Sequence, residues 1–204
     1  MVDLDDKIHI QQVLDGNTSS YTHLVDKYKD MVFTVIYRIL RQKEDSEDAA
    51  QLVFIKAFKK LHSFQGSSKF STWLYTIAYR TAIAKTKLKK LDSIDDRFYV
   101  EIATDDVFPQ LEEMKDQEQQ FYVKKAIDAL PEIDSVIISL FYLDECSVQE
   151  IVDITELKES NVKVKLHRAR KQLKENLEEL LQDEMKSIIW WKRKTKTYWK
   201  RGLW

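Results

Sequence analysis

Apolar residues recur at intervals of three and four along the first half of the chain. Tyr21, Leu24, Val25, Tyr28, Val32, Val35, Ile36, Ile39 and Leu40 make one stripe, with residues 17–20 supplying cap residues before it. That period predicts a long amphipathic helix. A polar break follows at 41–45. Asp45 is placed to cap a second helix, with Glu47 and Asp48 in its first turn, where the helix dipole favours acids. Ala50, Val53, Phe54, Ala57 and Leu61 line one side of it. A short loop, 62–70, holds Gly66, Ser67 and Ser68. Ser71 then stands where a cap is expected for a third helix through Trp73, Leu74, Ile77, Ala78 and Ala82.

Between about 91 and 119 the period is lost, and the stretch reads as an extended or partly ordered linker. Beyond it the helical pattern returns. Phe121, Ile127 and Leu130 mark one helix; Pro131 suits the start of the next, which carries Ile133, Val136, Ile137, Leu140 and Phe141. Ser147-Val148-Gln149-Glu150 has the form of a capping box and opens a short helix through Ile151 and Ile154. A few polar residues later another helix begins, with Val162, Leu166, Ala169 and Leu173 as its inward stripe. Two short helices joined by a tight turn, the second basic, describe a helix-turn-helix. The expected fold is therefore all-α: two small helical domains joined by an acidic linker, the C-terminal one carrying the helix-turn-helix. The expected bounds are 1–91, linker 92–119, 120–183, and a tail at 184–204.

Composition supports this. Three Gly and two Pro in 204 residues are too few for the turns of a sheet-rich fold. The lone Cys146 excludes an internal disulfide. The first residues are acidic where a secretory signal would be basic then apolar, and no apolar run reaches the ~20 residues of a membrane span. A cytoplasmic location is expected.

The net charge of −1 conceals a segregation of sign. Residues 49–91 contain no Asp or Glu, yet hold Lys56, Lys59, Lys60, Lys69, Arg80, Lys85, Lys87, Lys89 and Lys90. At the mean frequency of 34 acids in 204 residues, about seven would be expected there. Residues 92–118 carry ten acids against Arg97 and Lys115, and residues 160–174 are again basic and acid-free. Surfaces with cations and no acids suit a polyanion, because each neutralised phosphate releases a counterion.

Two candidate sites follow. With Val162, Leu166, Ala169 and Leu173 inward, the 100° step of a helix turns Ser160, Asn161, Val164, His167, Arg168 and Lys171 outward, with Lys163 at the flank. Small polar groups for base edges precede cations for phosphates. The other reading is an ordinary solvated helix. The second site is ring-rich: Phe64, Phe70, Trp73, Tyr75 and Tyr79, interleaved with Lys69, Arg80 and Lys87 beside Ser67. Rings can replace the stacking lost when DNA strands separate, at about 1–3 kcal/mol per base; the alternative is that they are core. His9, His23, His62 and His167 show no metal-ligand spacing, and no nucleophile–base pair or Gly-rich phosphate loop occurs. No enzyme, cofactor, metal or small-molecule substrate is expected.

Residues 48–58 (Asp-Ala-Ala-Gln-Leu-Val-Phe-Ile-Lys-Ala-Phe) and 64–78 (Phe-Gln-Gly-Ser-Ser-Lys-Phe-Ser-Thr-Trp-Leu-Tyr-Thr-Ile-Ala) resemble the second region of the extracytoplasmic-function (ECF) sigma factors. Ala129-Leu130-Pro131-Glu132 and residues 162–170 are similar to that family's fourth region. The resemblance covers about 20–180. It implies an alternative sigma factor whose partners are core RNA polymerase and promoter DNA, with an anti-sigma factor as a further partner. Asp48 and Gln51 would engage the polymerase clamp; the loop at 63–70 and the following helix would recognise and open the −10 element; the helix-turn-helix would read the −35 element. The family usually has Glu at Leu52, Asn at Arg80, Asp at Ala84, and Gly then Ser at Glu156 and Lys158. Two other readings stay open: a stand-alone helix-turn-helix regulator, and a sigma mimic that occupies a partner without reading DNA. Within the tail, residues 186–204, with seven Lys or Arg, no acid and four of the five Trp, suit a membrane surface, nucleic acid or a partner groove.

Overall fold

In the computed structural model, residues 3–86 and 116–199 are described, and those residues form helices joined by short turns. Four helices build the first half: α1 (Leu4–Leu14), α2 (Tyr21–Leu40), α3 (Lys43–Lys60) and α4 (Phe70–Lys85). Four more build the second: α5 (Asp116–Asp128), α6 (Glu132–Tyr142), α7 (Val148–Thr155) and α8 (Glu159–Trp199). The expected linker at 92–119 falls outside the described residues as far as 115; its last four residues belong to α5.

The period of α2 translates directly into burial, with Leu24, Tyr28, Val32, Val35, Ile36 and Ile39 forming its inner face. Arg41 ends the helix in the left-handed region at φ 56°, its N–H bonded to the Tyr37 carbonyl. α3 starts two residues before the expected Asp45, with Gln42 at the cap and Glu44 and Asp45 in the first turn. α4 likewise starts at Phe70, with Lys69 and not Ser71 at its cap. Neither cap makes a side-chain hydrogen bond. These starts are set by docking of Ala49 and Phe70 into the core, and tertiary packing outweighs a cap contribution of about 1 kcal/mol.

α1 was not foreseen. Asp3 caps it by accepting from the Asp5 N–H at 3.2 Å. Its Ile10 and Val13 join the core, but the attachment to α2 is largely polar. Asp6, only 2% exposed, accepts from Lys27 Nζ at 2.7 Å and from the Tyr28 hydroxyl at 2.6 Å. A buried carboxylate held by two donors is satisfied.

The two halves share a core. α6 packs against α2 on one side and against α5 and α8 on the other, and α7 packs against α4. Ile133, Val136, Ile137, Ile138 and Leu140 are therefore all buried, and α6 has almost no solvent face. Polar groups tie the halves at the edges of this contact. Arg41 donates from Nη1 to the Asp128 carbonyl and from Nη2 to the Leu130 carbonyl, each at 2.9 Å. Those carbonyls close the C-terminal end of α5, where a cation is favoured. Thr72 Oγ1 donates to Glu150 at 3.1 Å, and Arg80 pairs with Glu156 at 2.7 Å.

Leu74, fully buried on α4, is a measure of this shared core. Leu74→Ala should lower the free energy of unfolding by about 2–5 kcal/mol in a urea titration; a loss under about 1 kcal/mol would mean that the site is not close-packed.

Candidate nucleic-acid interface

The helix-turn-helix consists of α7, a turn, and the start of α8. The capping box at its entrance is present in full: Ser147 Oγ accepts from the Glu150 N–H at 3.2 Å, and Glu150 accepts from the Ser147 N–H at 2.9 Å. Burial alone would push the Glu150 carboxyl up, but the Ser147 and Thr72 hydrogen bonds, with Lys69 nearby, hold it below the usual range. α7 ends on Glu156, whose left-handed backbone (φ 59°) makes the turn that a glycine would make without strain.

α8 is fixed by Val162, Leu166 and Ala169, and by a half-hidden ion pair, Lys165 to Asp134 of α6 at 2.8 Å. His167, Arg168 and Lys171 are exposed, and Ser160, Asn161 and Lys163 are partly so. Lys163 pairs with Glu159 at 2.7 Å. Val164, expected to point outward, is instead 5% exposed. α5, α6 and α7 all pack on α8, so burial wraps further round the helix than one stripe implies. The remaining face keeps its polar and cationic character.

The second candidate site is more changed. Ser67 and Lys69 are exposed beside Gly66, whose φ of 70° turns the loop. Phe64 and Trp73 are half-buried and cluster with Phe70 in edge-on and tilted contacts, centroids 5.4–5.5 Å apart. Phe70, Tyr75 and Tyr79, however, are buried and belong to the core, which corrects their reading as open stacking surfaces in this arrangement. Phe70 packs on Tyr28 of its own half, whereas Tyr75 and Tyr79 meet groups of the other half. Burial raises the Tyr75 phenol, and Asp144 of the α6–α7 turn accepts its hydrogen bond. Burial and then Glu156 push Tyr79 up to about 12. Arg80, still exposed, faces Glu156. Lys87 lies outside the described residues. An open cleft of about 590 Å³ adjoins this loop, walled by Lys7, Ile8, Gln11 and Leu14 of α1 and by Phe64 and Gly66.

Asp48 and Gln51 are exposed on α3. Beside them lie three exposed apolar residues, Leu52, Ile55 and Phe58. Sequence reasoning treated Leu52 only as a departure and passed over the other two. The available signal was that α3 is apolar on two sides: Ala49, Val53 and Ala57 fill the core, so a second apolar row must face outward. Thr72 and Glu150, which join the halves, were also missed, because a contact between distant segments leaves no local pattern. Among the described residues no group of three or more His, Cys, Asp or Glu could hold a metal, and no helix is long and apolar enough to cross a membrane.

Two family models match this chain: Sigma-70 region 2 over residues 24–90 and Sigma-70, region 4 over residues 120–173. The ECF RNA polymerase sigma factor SigW of Bacillus subtilis is 34% identical over 183 residues, covering 85% of this chain and 97% of that protein. The ECF RNA polymerase sigma-E factor of Escherichia coli is 29% identical over 186 residues, covering 87% and 97%. Among solved structures, CnrH in complex with the cytosolic domain of CnrY aligns with a TM-score of 0.58 at 18% identity, over 85% of this chain and 97% of that one. The sigma factor RpoE in complex with the anti-sigma factor NepR, from Bartonella quintana, aligns at 0.54 and 21%, over 78% and 96%. At these identities the structures show a shared fold.

The exposed cations of α8 define a measurement. Arg168→Ala and Lys171→Ala should each weaken binding to duplex DNA and reduce the slope of log affinity against log salt by about 0.9. An unchanged slope would remove that residue from the interface.

Proposed function

Since this chain belongs to the ECF sigma factors of RNA polymerase, alternative sigma factors that direct transcription initiation, we propose how its parts divide that work. Residues 1–91 dock on core polymerase and handle the −10 element; residues 120–183 read the −35 element; residues 92–119 tether the two. The docking surface is the outer face of α3, where Asp48 and Gln51 flank Leu52, Ile55 and Phe58. An exposed apolar row bordered by polar groups is suited to a protein partner. The −10 surface comprises Ser67, Lys69, Phe64 and Trp73, with Tyr75, Tyr79 and Arg80 added once the second half moves away. The −35 surface is Ser160, Asn161, Lys163, His167, Arg168 and Lys171. The protein performs no covalent chemistry of its own and works in the cytoplasm, where polymerase and promoters are. An anti-sigma factor is a further partner.

The observation that carries this reading is the ordered pair of sigma regions, each containing an acid-free stretch of sequence rich in Lys and Arg. Its structural consequence is an opening. Elements about 25 base pairs apart are separated by about 85 Å of B-DNA at 3.4 Å per base pair. α4 and α7, which bear or flank the two reading surfaces, are in direct contact. One promoter cannot engage both until the halves part, and the roughly 30 residues between α4 and α5 can span about 100 Å when extended.

Two experiments test this. In a run-off assay, the purified chain plus core polymerase should initiate at specific promoters that core alone ignores; promoter binding that needs no polymerase would favour the stand-alone regulator instead. The second follows Cys146, a buried thiol that burial, Glu150 and Asp144 push up to about 12. At about pH 8 it should react slowly with a thiol reagent in the free chain and at least about tenfold faster in the polymerase–promoter complex, read by mass spectrometry at this residue. Equal rates would mean that the halves do not part.

A further inference from the structure

Neither family model reaches the end of α8: the region 4 match stops at residue 173, while the helix continues to Trp199. Leu177 is the last buried residue among those whose burial is described, and about 33 Å of helix follows it at 1.5 Å per residue. The sequence of this extension changes character. From Lys186 to Trp199 there are five Lys or Arg and no acid, together with Ile188, Ile189, Trp190, Trp191, Tyr198 and Trp199.

The helical backbone sorts these residues. At 100° per residue, positions 188, 191, 195, 198 and 199 fall within one arc of about 100°. The arc comprises Ile188, Trp191, Thr195, Tyr198 and Trp199, and holds no charge. All five cations, Lys186, Lys192, Arg193, Lys194 and Lys196, take the remaining circumference, with Ile189 and Trp190 among them.

Three occupants fit a basic, ring-rich helix, and the sorting discriminates between them. A single-stranded nucleic acid needs rings and cations on the same face, because bases stack where the backbone is neutralised, and here only one ring, Trp190, falls among the cations. A groove on another protein would seat the Trp and Tyr of this arc but gives no reason for an acid-free surround of five cations. Those amphipathic rings settle at the level of lipid headgroups, and a cationic flank is drawn to anionic lipid. The extension is too charged to cross a bilayer, so it would lie in the surface.

We propose that residues 185–199 form an interfacial helix that binds the anionic surface of a lipid bilayer. The site is separate from the promoter-reading surfaces and does not depend on them. It would allow one helix to hold the −35 reader at one end and a membrane contact at the other.

The test uses the full chain with two kinds of vesicle, phosphatidylcholine alone and phosphatidylcholine mixed with phosphatidylglycerol. Co-sedimentation should show partitioning at least about tenfold stronger into the anionic vesicles, weakening as salt rises. Trp191→Glu combined with Trp199→Glu should lower it by about tenfold or more while run-off transcription is unchanged. If that variant fails to transcribe, Lys192→Glu with Lys196→Glu provides the same comparison. Anionic-vesicle binding that survives these substitutions overturns the proposal, as does absence of vesicle binding. Loss of affinity for single-stranded nucleic acid without any vesicle binding would assign the helix to nucleic acid instead.

Discussion

Everything in the described structure is organised around the contact between the halves, and that contact combines two unlike interactions. One is apolar: α6 is covered by α2 on one side and by α5 and α8 on the other, so it can be a helix with almost no polar face. The other is a buried polar group at its margin. Burial depresses the Arg38 guanidinium, with Asp128 and Asp144 opposing, and its Nε has no hydrogen-bond partner among the described residues. A buried donor without a partner costs on the order of 1–3 kcal/mol. Asp144, raised by burial against the pull of Tyr75 and Arg38, is another cost at the same place. An interface that is apolar at its centre and imperfectly satisfied at its rim is stable but separable, as contacts between domains that move commonly are. That combination suits the parting of the halves proposed above.

Much of this architecture was legible in the chain. The three-four period of α2, the capping box of α7 and the inward stripe of α8 each became the element they implied, because each rests on short-range geometry that tertiary packing reinforced. The all-helical class followed from the lack of turn residues. What stayed hidden depended on distant partners. α1 is only eleven residues long, and its attachment through Asp6 to Lys27 and Tyr28 leaves no periodic trace. Asp45 and Ser71 are the better cap residues for α3 and α4, yet packing places the caps at Gln42 and Lys69. Val164 and the rings Phe70, Tyr75 and Tyr79 are buried here for one reason: neighbouring elements cover faces that a single-helix projection leaves open.

Two residues that depart from the usual sigma pattern turn out to meet. Arg80 stands where the resemblance leads one to expect Asn, and Glu156 where it leads one to expect Gly, and they form an ion pair at 2.7 Å across the two halves. Both are more than half exposed, so the pair itself contributes at most about 1 kcal/mol. Glu156 also holds a left-handed conformation that costs a non-glycine residue about 1–2 kcal/mol. The gain and the cost nearly cancel. The pair therefore does little for stability, and what it does change is the charge presented by Arg80, which Glu156 offsets in this arrangement.

The unbroken course of α8 has a mechanical corollary. With no glycine or proline between Glu159 and Trp199 to act as a hinge, the helix is a stiff rod whose two ends cannot be steered separately. A tilt of only about 10° near Leu177 swings Trp199 by roughly 6 Å along a 33 Å arm. Whatever grips the far end thus takes hold of a lever, and the orientation of the DNA-reading turn is coupled to it through bending rather than through any chain of contacts.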